Sequence, residues 1–91
     1  ESLPRQLKEG LAGKAQVEEI QIEAGAGCDG LPVKDVDWPE HFVIASLRRG
    51  AQVLIPKGST TLSAGDILTV VGEAATLREA RQLCQKKPSS Q

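Results

Sequence analysis

Between the turn-forming Ala64-Gly65-Asp66 and Gly72 the chain runs Ile67, Leu68, Thr69, Val70 and Val71 without a charged residue. A strand sends alternate side chains to opposite faces, so an apolar run that lacks polar alternation predicts a strand that is central or covered on both faces. Every other segment then has to supply either a flanking strand or a covering helix.

The flanks are legible. Gln16–Gly25 sets Val17, Ile20, Ile22 and Ala24 against Glu19, Gln21 and Glu23, the period of a strand with one solvated face. Phe42–Arg49 reads as a second strand, with Val43, Ala45 and Leu47 on one side and Phe42, Ile44 and Ser46 on the other. Arg49-Gly50 offers a tight turn, and the segment Ala51–Pro56 runs back as the hairpin partner, ended by its proline. Between the first two strands, a Gly-, Asp- and Pro-rich stretch carries Val33 and Val36 three apart, which predicts a short helix closed by Pro39. After Gly72 the period changes. Thr76 and Glu79 form a capping-box pair, Leu77, Ala80, Leu83 and Cys84 make one helical stripe with Arg78, Arg81 and Gln82 outside it, and Pro88 supplies a stop.

The expected fold class is therefore α+β: a small, mostly antiparallel β-sheet with a short helix after strand 1 and a C-terminal helix, in the order β-α-β-β-β-α. Residues 1–16 read as a linker or the tail of a preceding helix, 17–85 as the domain, and 86–91 as a disordered tail. Starting on Glu1 and a polar segment, the chain is expected to be a fragment of a longer one. A chain of 91 residues buries only about 60% of the surface its unfolded state exposes, so pairing with a second copy would add materially to its stability.

Composition removes several function classes. The net charge is -1 and the cations are scattered, with Trp38 and Phe42 as the only aromatic residues, which argues against a nucleic-acid partner. No apolar run approaches the 18 residues of a membrane span, so direct insertion of this segment is not expected. Cys28 and Cys84 have no CxxC neighbour and make no zinc site. They read as reduced thiols, Cys84 packed on the helix, with a single disulfide as the alternative.

No catalytic set is visible. His41 has no nucleophile near it in sequence, and Ser46, Ser59 and Ser63 lack any motif that activates a serine. Lys34, Asp35, Asp37, Glu40 and His41 read as a solvated turn without the pattern of a calcium loop. Gly25, Gly27 and Gly30 follow a strand, yet no long helix comes after them to present its N-terminus to a phosphate. Arg48 and Arg49 at the hairpin tip are the strongest positive feature, since guanidinium groups fork onto phosphates or carboxylates. On strand parity the two point to opposite faces, so one at most serves a given pocket. The alternative is a solvated turn that blunts a sheet edge.

The stretch from Val43 to Gly72, followed by Leu77 in a helix, resembles the C-terminal domain of TrkA and of other regulators of potassium conductance. The matching residues are Ala45, Leu47 to Gly50, Ile55, Pro56, Gly58, Thr60, Leu62, Ala64 to Asp66 and Val70 to Gly72, with Gly30 and Val33–Val36 upstream. Asp29 and Pro32 depart from that pattern. The resemblance implies a regulatory module, not an enzyme, at the cytoplasmic face of the membrane and attached to an ion channel or transporter: a potassium uptake system, a cation/proton antiporter or a chloride-channel-type protein. It implies a homodimer and, in some relatives, a small anionic ligand such as cyclic di-AMP between protomers. The residues matched to such a ligand are Arg48 or Arg49 for phosphate, with Ile55 and Pro56 as an apolar wall. A structural dimerisation domain with no ligand is the alternative.

Overall fold

The computed structural model describes residues 15–86, so the expected N-terminal linker and C-terminal tail lie, but for their border residues, outside the described residues. Its elements are β1 (Gln16–Gln21), a 3-10 turn (Val33–Asp35), β2 (Phe42–Arg49), β3 (Gln52–Leu54), β4 (Ile67–Gly72) and α1 (Ala74–Leu83). The four strands form one antiparallel sheet in the order β1-β4-β2-β3. The apolar run after Asp66 thus becomes β4, paired on both edges, as its composition requires.

One face of the sheet is covered, and the other is open at its edges around a buried Val71. Across the covered face Ile20, Leu68, Leu47 and Leu54 stand in register on β1, β4, β2 and β3. The first three are buried, and Leu77 and Ala80 from α1 and Cys84 just after it close over them with Ile22, Cys28 and Leu62 from the loops. Arg81 bends from α1 to pair with Glu18, which lies on the same face of β1 as Ile20. That pair explains how an acid is tolerated on the inward side of the strand. Across the other face Val17, Val71 and Val43 stand in register; the central Val71 is buried, while Val43 is exposed and Val17 is 60% exposed, opposite to its expected inward position.

Strict alternation fails in β2 for a definite reason. Ile44 pairs with Val70 and Ser46 with Thr69, so Ala45 is an extra residue, a β-bulge. Ahead of it Phe42 and Ile44 face the core; beyond it Leu47 and Arg49 do, while Val43 and Arg48 face outward. Without the bulge Leu47 would share the side of Val43, as the bare alternation predicts.

The expected helix after β1 is only the three-residue 3-10 turn, which buries no side chain and leaves helical geometry at Val36, before Pro39 is reached. Val33 and Val36 are only partly buried against the core, and the Val33 and Lys34 N–H groups bond the Thr60 and Gly58 carbonyls, so the segment is held by the neighbouring loop and not by a second helical turn. The C-terminal helix begins earlier than the Thr76-Glu79 pair implies, with Glu73 in the N-cap position and no side-chain cap. Ala74 and Ala75, both good helix formers, extend it backward. It ends at Leu83, well before Pro88, because the chain there turns to bond with the loop that leaves β1: the Glu23 N–H donates to the Cys84 carbonyl and the Lys86 N–H to Glu23 Oε1.

Glycine is required at two turns. Gly50 closes the β2–β3 hairpin at φ +60 and Gly65 sits at φ +91 ahead of β4, both in the left-handed region where a Cβ is strained.

The bulge yields a test. Deleting Ala45 forces one half of β2 to present its core residues to water, so cooperative thermal unfolding followed by circular dichroism should be lost. Replacing it as Ala45→Ser keeps the extra residue at an exposed position and should change stability by less than about 1 kcal/mol.

Candidate functional site

The hairpin tip and the turn before β4 meet around one buried carboxylate. Asp66 is 2% exposed, and it is the only polar side chain so buried among the described residues. Arg49 grips it with a fork: Nε donates to Oδ1 at 3.0 Å and Nη2 to Oδ2 at 2.7 Å. The Ser63 N–H donates to Oδ2 at 3.0 Å, and Arg49 Nη2 also reaches the Thr61 carbonyl at 2.9 Å. Hydrogen bonding from Arg49 holds the Asp66 carboxyl below its ordinary 3.8, against the opposing effect of burial, with the Ser63 N–H adding to the downward shift. The same bond raises the Arg49 guanidinium above its ordinary value.

A second carboxylate extends this framework. Asp29 accepts the Gly25 N–H on Oδ2 at 3.1 Å and the Ala64 N–H on Oδ1 at 3.2 Å, tying the exit loop of β1 to the turn that carries Asp66. The residue that departs from the family pattern is therefore a loop clamp. Its bonds join residues 35 apart, a relation that no local motif announces. Asp66 itself had a signal: it follows Ala64-Gly65 at the mouth of a covered strand, where a buried acid needs a cation.

The four sequence-predicted binding residues fall into two groups. Arg48 and Ile55 lie on the open face. Arg48 pairs in register with Val53, stands half exposed and lies 3.9 Å from Glu19, a loose surface contact that leaves most of its donors to water. Ile55 is 70% and Val53 66% exposed, so the end of β3 presents a bare apolar edge. Arg49 and Pro56 are on the other side. Arg49 is committed to Asp66 through Nε and Nη2, leaving Nη1 outside those bonds, and Pro56 lines a shallow cleft of about 320 Å³ with Trp38, Phe42, Ile44 and Lys57. The opposite-face reading of the arginine pair agrees with this placement. No three potential metal ligands are gathered among the described residues. His41 is an exposed loop residue, at φ 64, with Glu40 as its neighbour at 3.7 Å.

The model of a family described as the TrkA-C domain matches residues 17–85. A Trk system potassium uptake protein TrkA homolog from Archaeoglobus fulgidus is 38% identical over 61 residues, which cover 67% of this chain and 14% of that protein. A putative transport protein from Actinobacillus pleuropneumoniae is 46% identical over 52 residues, covering 55% of this chain and 9% of its own length. A K(+)/H(+) antiporter NhaP2 from Shewanella oneidensis is 38% identical over 63 residues, covering 69% and 11%. The chain spans between 9% and 14% of these curated relatives. They bear on potassium and cation/proton transport and lend no support to a chloride-channel-type parent. Two solved structures share the fold with a TM-score of 0.67: an RCK domain with cda, 21% identical, covering 76% of this chain and 97% of that one, and the RCK C domain of the potassium transport protein KtrA in complex with cyclic diadenosine monophosphate, 23% identical, covering 81% and 88%.

The Arg49–Asp66 fork gives a pH-dependent contribution whose sign follows from the lowered carboxyl. Between the folded value and 3.8 the unfolded chain binds the extra proton, so the contribution is complete above about pH 4 and is lost as pH falls through the folded value. Asp66→Asn should cost roughly 1.5–3 kcal/mol at pH 7, the range for hydrogen bonds to charged groups. In urea titrations from pH 7 to pH 2 the gap between wild type and variant should narrow only below about pH 4; a constant gap would show that the charge of Asp66 is immaterial.

Proposed function

The chain belongs to the TrkA-C domain family, and from that premise we propose that it is a regulatory, ligand-sensing and dimerisation domain of a potassium uptake system or a cation/proton antiporter, acting at the cytoplasmic face of the membrane and not as an enzyme. The observation that carries the reading is the open sheet face, where Val17, Val43, Val53 and Ile55 are 42–70% exposed around the half-exposed Arg48. Full burial of a valine or isoleucine contributes about 1.5–3 kcal/mol, so a chain of this size has reason to cover the face. A second copy placed by a twofold axis would bring two such faces together and two Arg48 side chains with them.

Two cations related by a twofold suit a ligand with two phosphates related by its own pseudo-twofold. Cyclic di-AMP is such a ligand, and the KtrA complex makes it the first probe to try. In this proposal Arg48 takes phosphate, Ile55 walls the base, and Arg49, with Pro56 beside it, contributes through Nη1 while its other donors hold the hairpin. A ligand acts on the parent transporter only by binding one pairing geometry better than another. Among the described residues no helix is long and apolar enough to cross a membrane, so coupling would pass through chain outside them.

Sedimentation equilibrium and titration calorimetry with cyclic di-AMP test the proposal together. Val43→Asp should weaken self-association about 100-fold or more, since it puts an unpaired charge at the centre of the interface. Arg48→Ala should leave the dimer and the melting temperature in place while weakening ligand binding at least about 10-fold. A dimer that gives no heat with any cyclic dinucleotide would establish the purely structural alternative. A chain that stays monomeric at high micromolar concentration would overturn the reading altogether.

A further inference from the structure

Two thiols meet under the covered face of the sheet, away from the proposed interface. Cys28 lies in the loop that leaves β1 and Cys84 follows the last residue of α1; both are fully buried, and their Sγ atoms are 3.8 Å apart. The main chains run side by side at this point. The Cys28 N–H donates to the Leu83 carbonyl at 3.3 Å, and the Glu23 N–H to the Cys84 carbonyl at 2.8 Å. A disulfide wants Cα atoms about 4.4–6.8 Å apart and sulfurs near 2.05 Å, and backbones already joined by a direct hydrogen bond beside the pair are suited to the first condition. The sulfurs then have to close by less than about 2 Å.

The geometry points to a reversible disulfide site between Cys28 and Cys84, formed with hydrogen peroxide as the oxidant, which clasps the exit loop of β1 to the end of α1. This differs from the packing role that composition assigns to the cysteines, and it does not depend on the transport assignment. In the first step the Cys28 thiolate attacks one peroxide oxygen, the O–O bond breaks, and Cys28 sulfenic acid and hydroxide form. In the second the Cys84 sulfur attacks the sulfenic sulfur, the S–O bond breaks, and the hydroxyl leaves as water with the Cys84 proton. The sum converts two thiols and one peroxide into one disulfide and two waters.

The order of attack follows from the pair itself. Once Cys28 has lost its proton, the Cys84 S–H can donate to the thiolate, which lowers the Cys28 thiol against the effect of burial. The hydrogen bond with Cys28, followed by burial, pushes the Cys84 thiol up, so it keeps its proton until the second step. Access comes from the end of α1. Leu83 is half-buried, and Gln85 and Lys86 are exposed, so opening the last turn uncovers both sulfurs, and helix ends open at low free energy.

The consequence reaches the hairpin framework. Asp29 adjoins Cys28 and bonds the Ala64 N–H, on the turn that carries Asp66. A cross-link between positions 56 apart encloses β2, β3, β4, α1 and the 3-10 turn, and a long closed loop restricts the unfolded chain strongly.

The test uses the whole 91-residue chain. The reduced protein is exposed to hydrogen peroxide at pH 8, quenched with a thiol-alkylating reagent and weighed intact. The expected product is a single chain lighter by about 2 Da that takes up no alkylating reagent, reverts with dithiothreitol, and melts about 10 °C or more above the reduced form. Two alkylatable thiols surviving a dose that oxidises the urea-unfolded chain would overturn the proposal. So would disulfides between chains, or sulfinic and sulfonic products in place of the cross-link. In Cys84→Ser the resolving sulfur is gone, and dimedone should trap the sulfenic acid at Cys28; an unmodified Cys28 in that chain would overturn the stated order of steps.

Discussion

The carboxylate of Asp66 is the point on which the domain's irregular parts converge. A charged group at 2% exposure is costly unless its oxygens are met by donors, and here the donors come from the hairpin and from its own turn. Arg49 supplies a fork in one plane, which a lysine could not reproduce. Because Nη2 of the same side chain also reaches the Thr61 carbonyl, a single guanidinium fastens the β2–β3 tip to the loop entering β4. Asp29 then fastens the β1 exit loop to the other side of the turn. Long loops with few apolar residues are thereby held against the sheet without enlarging the core.

The second organising feature is the bulge at Ala45, and the two features depend on each other. With uninterrupted alternation, Leu47 and Arg49 would both fall on the side opposite Phe42 and Ile44. The extra residue lets Phe42, Ile44, Leu47 and Arg49 all face the core side, and it leaves Val43 and Arg48 for the open side. Buried fork and open face are thus two outcomes of one backbone irregularity. This is why adjacent arginines, identical in chemistry, have unlike surroundings.

Much of this was legible in the chain. β4 announced its central place through five consecutive residues with no charge, and the hairpin announced itself through Arg49-Gly50 and Pro56. The resemblance to the family rested on the same stretch, and the family model covers it. What could not be read was whatever depends on pairing between distant residues. The bulge is visible only once β4 is laid beside β2, and the partnership of Asp29 with Ala64 spans 35 positions. The helix expected around Val33 stopped at one 3-10 turn because Val36 is already extended and the segment is tied by its Val33 and Lys34 N–H groups to the distant Gly58–Thr60 loop, a pairing that two apolar residues three apart do not reveal. Val17 was misplaced for a simpler reason: it shares odd parity with Glu19 and Gln21, so the inward position at that end of β1 goes to Glu18, rescued by Arg81. Among the site residues, Arg48 and Arg49 were correctly set on opposite faces, while Asp66 as the partner of one of them was not foreseen.

Fixing Arg49 also constrains how the open face could sense anything. A residue whose neighbour is held by three hydrogen bonds has little freedom in its own backbone, so Arg48 and the register of β2 with β3 form a stiff platform. A ligand bridging two such platforms gains little by bending either one, since close-packed interiors resist small deformations. In the proposed pairing the soft coordinate would be the relation between two copies, where loosely tethered side chains such as Arg48 and exposed ones such as Ile55 could adjust. In the proposed dimer, signal would be carried by how two rigid sheets meet, with the buried fork keeping each sheet rigid.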